Sequence, residues 1–142
     1  EVIRGADVFI GVSGPNVLTA DMIRSMNTDP IVFALANPEP EILPDLAKEA
    51  GVRIIGTGRS DFPNQINNVS VFPGVFKGAL RVRAREINEE MKLAAARAIA
   101  SYIPEADLHE ENIMPSALDK KVADTVADAV ARAAWDTGVA RI

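Results

Sequence analysis

The residues that decide the fold are DVFIGVS at 7–13 and IVFALA at 31–36, followed by VRIIG at 52–56. Each is a short run of apolar and β-branched residues, which is typical of a strand buried on both faces. Helical patterns separate the runs, the first capped by Thr19 and the second ended by Gly51. Strands joined by helical crossovers of this length predict parallel βαβ units with right-handed connections. The sequence therefore predicts an α/β fold with a doubly wound parallel sheet.

The second half of the chain has a different pattern. Residues 57–74 contain several Gly, Pro and Asn residues with little apolar periodicity, and predict a loop on the ligand side of the sheet. At its end we expect Gly74 to give the backbone freedom to turn into the next helix. Helical patterns then follow at about 75–85, 88–102 and 118–137. We expect one unit, with a βαβαβ core over about 1–56 and a helical C-terminal layer over 75–142.

Composition narrows the class of protein. The chain has 142 residues, 48% hydrophobic and 25% charged, which is typical of one globular domain. A net charge of −5 argues against nucleic acid as a partner. Cys is absent and His occurs once, which excludes disulfides, thiolate catalysis and multi-histidine metal sites. No apolar run or leader points to a membrane or to export, so we expect a cytoplasmic protein. Because a strand pattern follows Glu1 so closely, we also expect a piece of a longer protein or a product of cleavage.

Small and amide residues follow each predicted strand, in loops at 13–16 and 37–39 and in the long segment that starts with residues 56–61. Because ligands of open parallel sheets bind beyond the carboxyl ends of the strands, we expect these loops to converge on one rim. Such a rim suits a carboxamide, a hydroxyl, or a carboxylate that needs donors. The alternative is that these Asn and Gly residues simply make turns.

Three long stretches carry a family resemblance. They read VFIGVSGPNVLTADMIRSM at 8–26, VFALANPEPEI at 32–42 and TGRSDFPNQINNVSVFPGVFKGAL at 57–80. These stretches resemble the C-terminal part of the bacterial malic enzymes, which use NAD or NADP and a divalent metal to oxidise and decarboxylate malate to pyruvate. The resemblance covers essentially the whole chain but only part of the family's length. It implies a Rossmann-like sheet, the second half of the nucleotide-binding domain.

The resemblance also implies roles for individual residues. Asn37, in the ALANP turn, matches an Asn that contacts substrate and the nicotinamide side of the cofactor. Asn68 matches a second Asn that contacts malate and nicotinamide, and Asn67 beside it is a weaker substrate-binding candidate. Ser13 and Gly14 match the strand-end turn that lies along the nucleotide.

Other parts that the family requires are absent from this sequence. The glycine-rich dinucleotide fingerprint is missing, and the family's acid–base Tyr and Lys and the acidic trio that binds Mg or Mn are expected upstream. We therefore assign no catalytic or metal-binding residue to this chain and expect it to be inactive alone. Expected partners are malate or pyruvate, the missing N-terminal part and a second copy in a dimer. The alternatives are a non-catalytic α/β module that binds a ligand or regulates a partner, or part of another Rossmann-type dehydrogenase.

Several conspicuous side chains receive structural interpretations. We expect Lys77, Arg81 and Arg85 to form a solvated helix face paired with nearby Glu residues, namely Glu86, Glu89 and Glu90. Arg59 and Asp61 could form a local ion pair or reach the site. His109 is expected in a surface loop. Among the aromatic residues, we interpret Tyr102 as a packing or surface residue, and Trp135 as an anchor against the domain or against a neighbouring subunit.

Overall fold

The computed structural model describes residues 2–142, which divide into two compact units. The sheet unit comprises residues 2–66 and His109–Asn112, and the helical unit comprises Asn67–Leu108 and Ile113–Ile142. The first boundary falls inside the stretch that the sequence predicted as a loop. That all 142 residues belong to one nucleotide-binding domain stays a prediction.

The sheet unit contains three parallel strands in the order β1-β2-β3, joined by helical crossovers. Its elements are β1 (Val8–Gly11), α1 (Ala20–Arg24), β2 (Ile31–Ala34), α2 (Pro44–Glu49) and β3 (Ile54–Thr57). Phe9 is level with Val32 on the neighbouring strand, and Val32 with Ile55 on the next. The predicted α/β class and parallel βαβ connections are confirmed.

The ends of the two crossover helices follow from local sequence. Thr19 caps α1, where its hydroxyl accepts a hydrogen bond from the Met22 amide at 3.3 Å. Gly51 follows α2 with φ of +105°, a conformation that favours glycine. The apolar core of this unit gathers around Val32, which is fully buried on the central strand.

Strand β1 differs from its prediction. The sequence pattern suggested burial on both faces, yet Val8 is 47% exposed and Ile10 is 64% exposed. Val8 and Ile10 are two residues apart, so their side chains lie on the same face of the sheet, and the exposed fractions show that residues 2–142 leave this face of β1 partly open. β1 is also an edge strand of the sheet that residues 2–142 form. An apolar strand with an open edge is a surface that a further strand or another chain can cover.

The helical unit is built on α3 (Phe72–Arg81), α4 (Glu89–Ala100) and α5 (Lys120–Asp136). Two 3-10 turns, Asn68–Ser70 and Glu105–Asp107, join the longer elements. All three helices contribute to one apolar core, which includes Met91 of α4 and Val126 and Val130 of α5. These three side chains are completely buried. The predicted helical layer is confirmed, although each helix is shorter than its sequence pattern.

Gly74 has a different role from the one expected. It lies inside α3, and a Cβ built there would come within 2.5 Å of Val126 Cβ on α5. One turn later, a Cβ on Gly78 would come within 2.5 Å of the Ala127 carbonyl oxygen. The two glycines therefore allow a close approach of two helices rather than a turn of the chain.

The basic face of α3 is exposed as predicted, but its partners lie on another helix. Lys77 forms an ion pair with Asp124, and Arg81 with Asp128, both on α5. Arg85 donates instead to the Gly138 carbonyl at 2.9 Å. The expected Glu partners are thus replaced by residues that helix packing brings alongside.

Two aromatic side chains complete the helical unit. The Tyr102 hydroxyl donates to Asp119 at 2.6 Å, while its ring packs against the apolar core. Trp135 is 58% exposed, and its indole donates to the Ile142 carbonyl at 2.9 Å. No helix within residues 2–142 combines the length and apolar character that a membrane crossing requires.

Candidate functional site

The loops at the carboxyl ends of the three strands come together in the sheet unit. Glu41 accepts hydrogen bonds both from Ser13, after β1, and from the Ala36 amide, after β2. The loop after β3 reaches the same place, because a Cβ built on Gly58 would lie 3.2 Å from the Asn37 side-chain nitrogen. The predicted convergence of these loops is confirmed.

Glu41 is the residue that the sequence analysis missed. Its side chain is 0% exposed, and burial by itself raises the pKa of a carboxyl group. Hydrogen bonds from Ser13 and Ala36 favour the ionised form and bring the pKa of Glu41 below its ordinary value. A signal existed in the sequence, because Glu41 stands directly before the apolar residues Ile42, Leu43 and Pro44.

Asn37, Ser13 and Gly14 lie on this rim of the sheet unit. Asn37 is exposed, and within residues 2–142 no hydrogen bond of the structure occupies its side-chain amide. A Cβ added to Gly14 would meet no atom within 4 Å. The rim thus presents the uncommitted Asn37 amide beside a stretch of backbone that a ligand can approach closely.

The start of the loop after β3 is held by its own side chains. Arg59 forms the expected ion pair with Asp61, with nitrogen–oxygen distances of 2.8 and 2.6 Å. This pairing lowers the pKa of Asp61. The Arg59 guanidinium also lies 5.3 Å from the centre of the Phe62 ring. Both polar groups are therefore committed to local contacts.

Asn64 shows that one amide of this loop does serve the chain itself. Its side-chain nitrogen donates to the carbonyls of Ile55 and Glu110, at 3.0 and 2.8 Å. The residue is buried and has φ of +55°. For Asn64 the structural alternative that the sequence left open is correct.

Asn67 and Asn68 belong to the helical unit, before α3. The Asn67 side-chain oxygen accepts a hydrogen bond from the Val69 amide at 3.0 Å and so caps the short turn. Asn68 is the first residue of that turn and is exposed. Within the described part of the chain no hydrogen bond occupies the Asn68 side chain. The two neighbouring amides therefore differ, since one stabilises the turn and the other is available to a ligand.

The loop at residues 109–112 contains three titratable residues, and two of them form ion pairs within the sheet unit. The Glu110 carboxylate pairs with Arg53, and the Glu111 carboxylate pairs with Lys48. A hydrogen bond from its own backbone amide, together with Arg53, lowers the pKa of Glu110, and Lys48 lowers the pKa of Glu111. His109 is exposed in the surface loop where it was expected. Among residues 2–142 no three His, Asp or Glu side chains are grouped to hold a metal ion. The expectation that upstream residues bind the metal stays a prediction.

Comparison with known proteins identifies the family. The family described as "Malic enzyme, NAD binding domain" matches residues 50–135. The NAD-dependent malic enzyme of Geobacillus stearothermophilus is 62% identical over 99% of this chain and 29% of its own length. The NADP-dependent malic enzyme of Salmonella typhimurium is 54% identical over 99% of this chain and 20% of its own length.

A solved structure agrees with these sequence relatives. The crystal structure of the malic enzyme from Pyrococcus horikoshii superposes with a TM-score of 0.93 at 55% identity, covering 98% of this chain and 32% of that one. The chain thus spans about a third or less of the proteins it matches, and its resemblance extends over nearly all of its residues. The chain belongs to the malic enzyme family, in the part described as the NAD-binding domain.

Proposed function

We propose that this chain is part of a malic enzyme, which oxidises and decarboxylates malate to pyruvate and CO2 while NAD or NADP is reduced. The observation that carries the proposal is the exposed, uncommitted amide of Asn37 at the carboxyl ends of the strands, in a chain whose relatives are malic enzymes. Ligands of open parallel sheets bind at this end.

In this proposal Asn37 binds the nicotinamide side of the cofactor and the substrate. A side-chain amide has both donors and an acceptor, so it complements a carboxamide and also donates to a carboxylate. The amide lies against Gly58, where a larger residue would press on its nitrogen at 3.2 Å. Gly58 therefore leaves Asn37 free to orient toward a ligand.

Asn68 takes the second binding role, with malate and nicotinamide as its ligands. Its amide is exposed and uncommitted, whereas the neighbouring Asn67 amide caps the turn that holds Asn68. This difference supports Asn68 as the main substrate-binding residue and Asn67 as the weaker candidate. Neither amide titrates, so both bind and orient rather than move a proton.

Ser13 and Gly14 provide the surface for the nucleotide. The open space beside Gly14 suits close approach of a dinucleotide to the backbone, and the Ser13 hydroxyl is held by Glu41. When bound, NAD(P)⁺ supplies the hydride acceptor for oxidation of the malate hydroxyl. The acid–base Tyr and Lys and the ligands of Mg or Mn are proposed to lie upstream of this chain.

The proposal extends to partners and location. The missing N-terminal part of the enzyme would complete the site, and a homodimer is the expected assembly. The exposed apolar side chains of edge strand β1 support a covering partner, either that upstream part or a second copy. A cytoplasmic location stays a prediction from the sequence.

Steady-state kinetics of the full-length protein that contains this chain tests the proposal. We expect reduction of NAD or NADP that depends on both malate and a divalent metal. Replacing Asn68 by Ala should lower kcat/KM for malate by about 10- to 100-fold, the loss of one hydrogen bond to a charged group.

Asn67→Ala is the matched control, because it removes the neighbouring amide and should have the smaller effect on kcat/KM for malate. Absence of malate-dependent reduction of both cofactors by the wild-type protein would exclude the proposed function. Equal losses in the two variants would exclude the separate roles of Asn67 and Asn68.

A further inference from the structure

Glu41 connects the two strand ends that carry the proposed cofactor-binding residues. One carboxylate oxygen accepts from the Ser13 amide at 2.8 Å and from the Ser13 hydroxyl at 3.1 Å. The other oxygen accepts from the Ala36 amide at 3.1 Å, immediately before Asn37. A single buried side chain thus bonds to the backbone of both turns.

The backbone around Glu41 reinforces the same connection. The Asn16 amide donates to the Pro40 carbonyl at 3.2 Å, and the Leu18 amide donates to the Glu41 carbonyl at 3.0 Å. The segment that follows β2 therefore lies along the segment that follows β1. The Leu35 amide donates to the Gly11 carbonyl at 2.9 Å as the last contact of the sheet, and the carboxylate provides the next contact toward the loops.

The neighbouring strand is shaped to accept this carboxylate. A Cβ built on Gly11 would lie 2.5 Å from both the Glu41 carboxyl carbon and one of its oxygens. Any side chain at Gly11 would therefore displace the carboxylate. Because a buried carboxylate is costly unless it is fully hydrogen-bonded, displacement would also weaken its bonds to Ser13 and Ala36.

We propose that Glu41 is a positioning residue for cofactor binding, which holds the Ser13–Gly14 turn and the Asn37 turn at a set distance from each other. The inference rests on the proposed function, since those turns are the proposed binding surface for NAD(P). Glu41 itself is fully buried and acts through Ser13 and Ala36. Its loss should therefore weaken cofactor binding more than it slows the chemical step.

The test compares Glu41→Gln with Glu49→Gln in the full-length protein. Gln keeps the shape of Glu, but it has a single acceptor oxygen, so its NH₂ group must face either the Ser13 amide or the Ala36 amide. Glu49 is exposed at the end of α2, so its variant removes the same charge from the same unit without touching the strand ends.

We expect Glu41→Gln to raise the KM for the nicotinamide cofactor, and the Kd of the reduced cofactor from fluorescence titration, by about tenfold. At saturating cofactor, kcat should remain within about twofold of wild type. A merely structural role would instead reduce the active fraction, lowering kcat at unchanged KM. Glu49→Gln should match the wild-type protein in all three constants.

Gly11→Ala provides a second route to the same result, because it retains the carboxylate and displaces it. It should raise the cofactor KM and Kd as Glu41→Gln does, and it carries the test if Glu41→Gln does not fold. The inference is overturned if either folded variant keeps wild-type cofactor affinity.

The two proposals fail in different ways. If the wild-type protein binds reduced cofactor but does not oxidise malate, the proposed function fails, and the Kd comparison still decides the role of Glu41. If the wild-type protein binds neither NADH nor NADPH, both proposals are overturned.

Discussion

Glycines make room for neighbouring groups in both the sheet unit and the helical unit, but the groups differ in kind. In the sheet unit, Gly11 makes room for a buried carboxylate and Gly58 leaves space for the Asn37 amide. In the helical unit, Gly74 and Gly78 allow α3 to approach the apolar side and backbone of α5. In the first case the space is filled by polar side chains of the loops, and in the second by the valine side chains and the backbone of a packed helix.

Substitutions should therefore have different effects in the two units. Changes in the sheet unit should affect ligand affinity through the positions of loops. Changes in the helical unit should affect the free energy of unfolding, because closely packed helices cannot accommodate added volume.

The largest effect is expected for Gly78→Val. The first carbon of the new side chain would already lie 2.5 Å from the Ala127 carbonyl oxygen, so α3 and α5 must separate. We expect a loss of about 3 kcal/mol or more in the free energy of unfolding, measured by urea denaturation. Gly14→Val is the control, since open space around Gly14 predicts a change within about 0.5 kcal/mol. Equal destabilisation by both variants would remove the distinction between the units.

The next largest effect is expected for Glu41→Gln, whose loss of stability should depend on pH. Because the pKa of Glu41 is lowered in the folded protein, its ionised form stabilises the fold above the unfolded pKa, near 4.5. That contribution is lost as pH falls through the lower, folded pKa. We expect the free energy of unfolding of Glu41→Gln to be about 1–3 kcal/mol lower than that of wild type at neutral pH. This difference should narrow as pH falls below the unfolded pKa. A difference independent of pH, in urea titrations over the acid range, would show that the charge of Glu41 contributes nothing.

A smaller effect is expected for Gly58→Ala. Its Cβ would lie 3.2 Å from the Asn37 nitrogen, so the amide must shift by a few tenths of an ångström. We expect the cofactor KM to rise by about threefold with little change in the thermal midpoint. Steady-state kinetics and thermal melts together test this. A lowered midpoint at unchanged KM would place Gly58 with the packing glycines of the helical unit.

The smallest effect is expected for Tyr102→Phe in the helical unit. The hydrogen bond to Asp119 raises the pKa of Tyr102 and lowers that of Asp119. Its stabilisation is present below the unfolded Tyr pKa of about 10 and is lost as pH rises through the raised value. On the acid side it is lost as pH falls through the lowered pKa of Asp119.

Thermal melts at several pH values measure this contribution. Tyr102→Phe should lower the midpoint slightly at neutral pH and match wild type at both extremes. Thr125→Val removes a hydroxyl whose partner is the Lys121 carbonyl, so its effect should not vary with pH. If the midpoint change caused by Tyr102→Phe is as independent of pH as that caused by Thr125→Val, the pKa values of Tyr102 and Asp119 do not change on folding.

Much of the fold was predictable because its signals are local. The apolar runs of β2 and β3, the Thr19 cap and the left-handed Gly51 each depend on a few neighbouring residues. The convergence of the strand-end loops followed from parallel topology, and the family from the motifs around Asn37 and Asn68. The roles of those two residues stay predictions, because an exposed amide becomes a binding group only when its ligand is present.

The remaining features depend on residues that are far apart in the chain. Nothing near Gly74 indicates that Val126 will face it, so the sequence suggested a turn where the structure has a helix contact. Lys77 likewise pairs with Asp124 rather than with the closer acids.

By itself, the sequence determined the strands, the helical layer, the strand-end loops and the family. Only the tertiary structure decided that Glu41 is buried between two turns, that β1 is an edge strand within residues 2–142, and that the chain divides at Asn67. The physical reason is that backbone preference and capping act over a few residues, whereas burial and close packing depend on which distant segments meet.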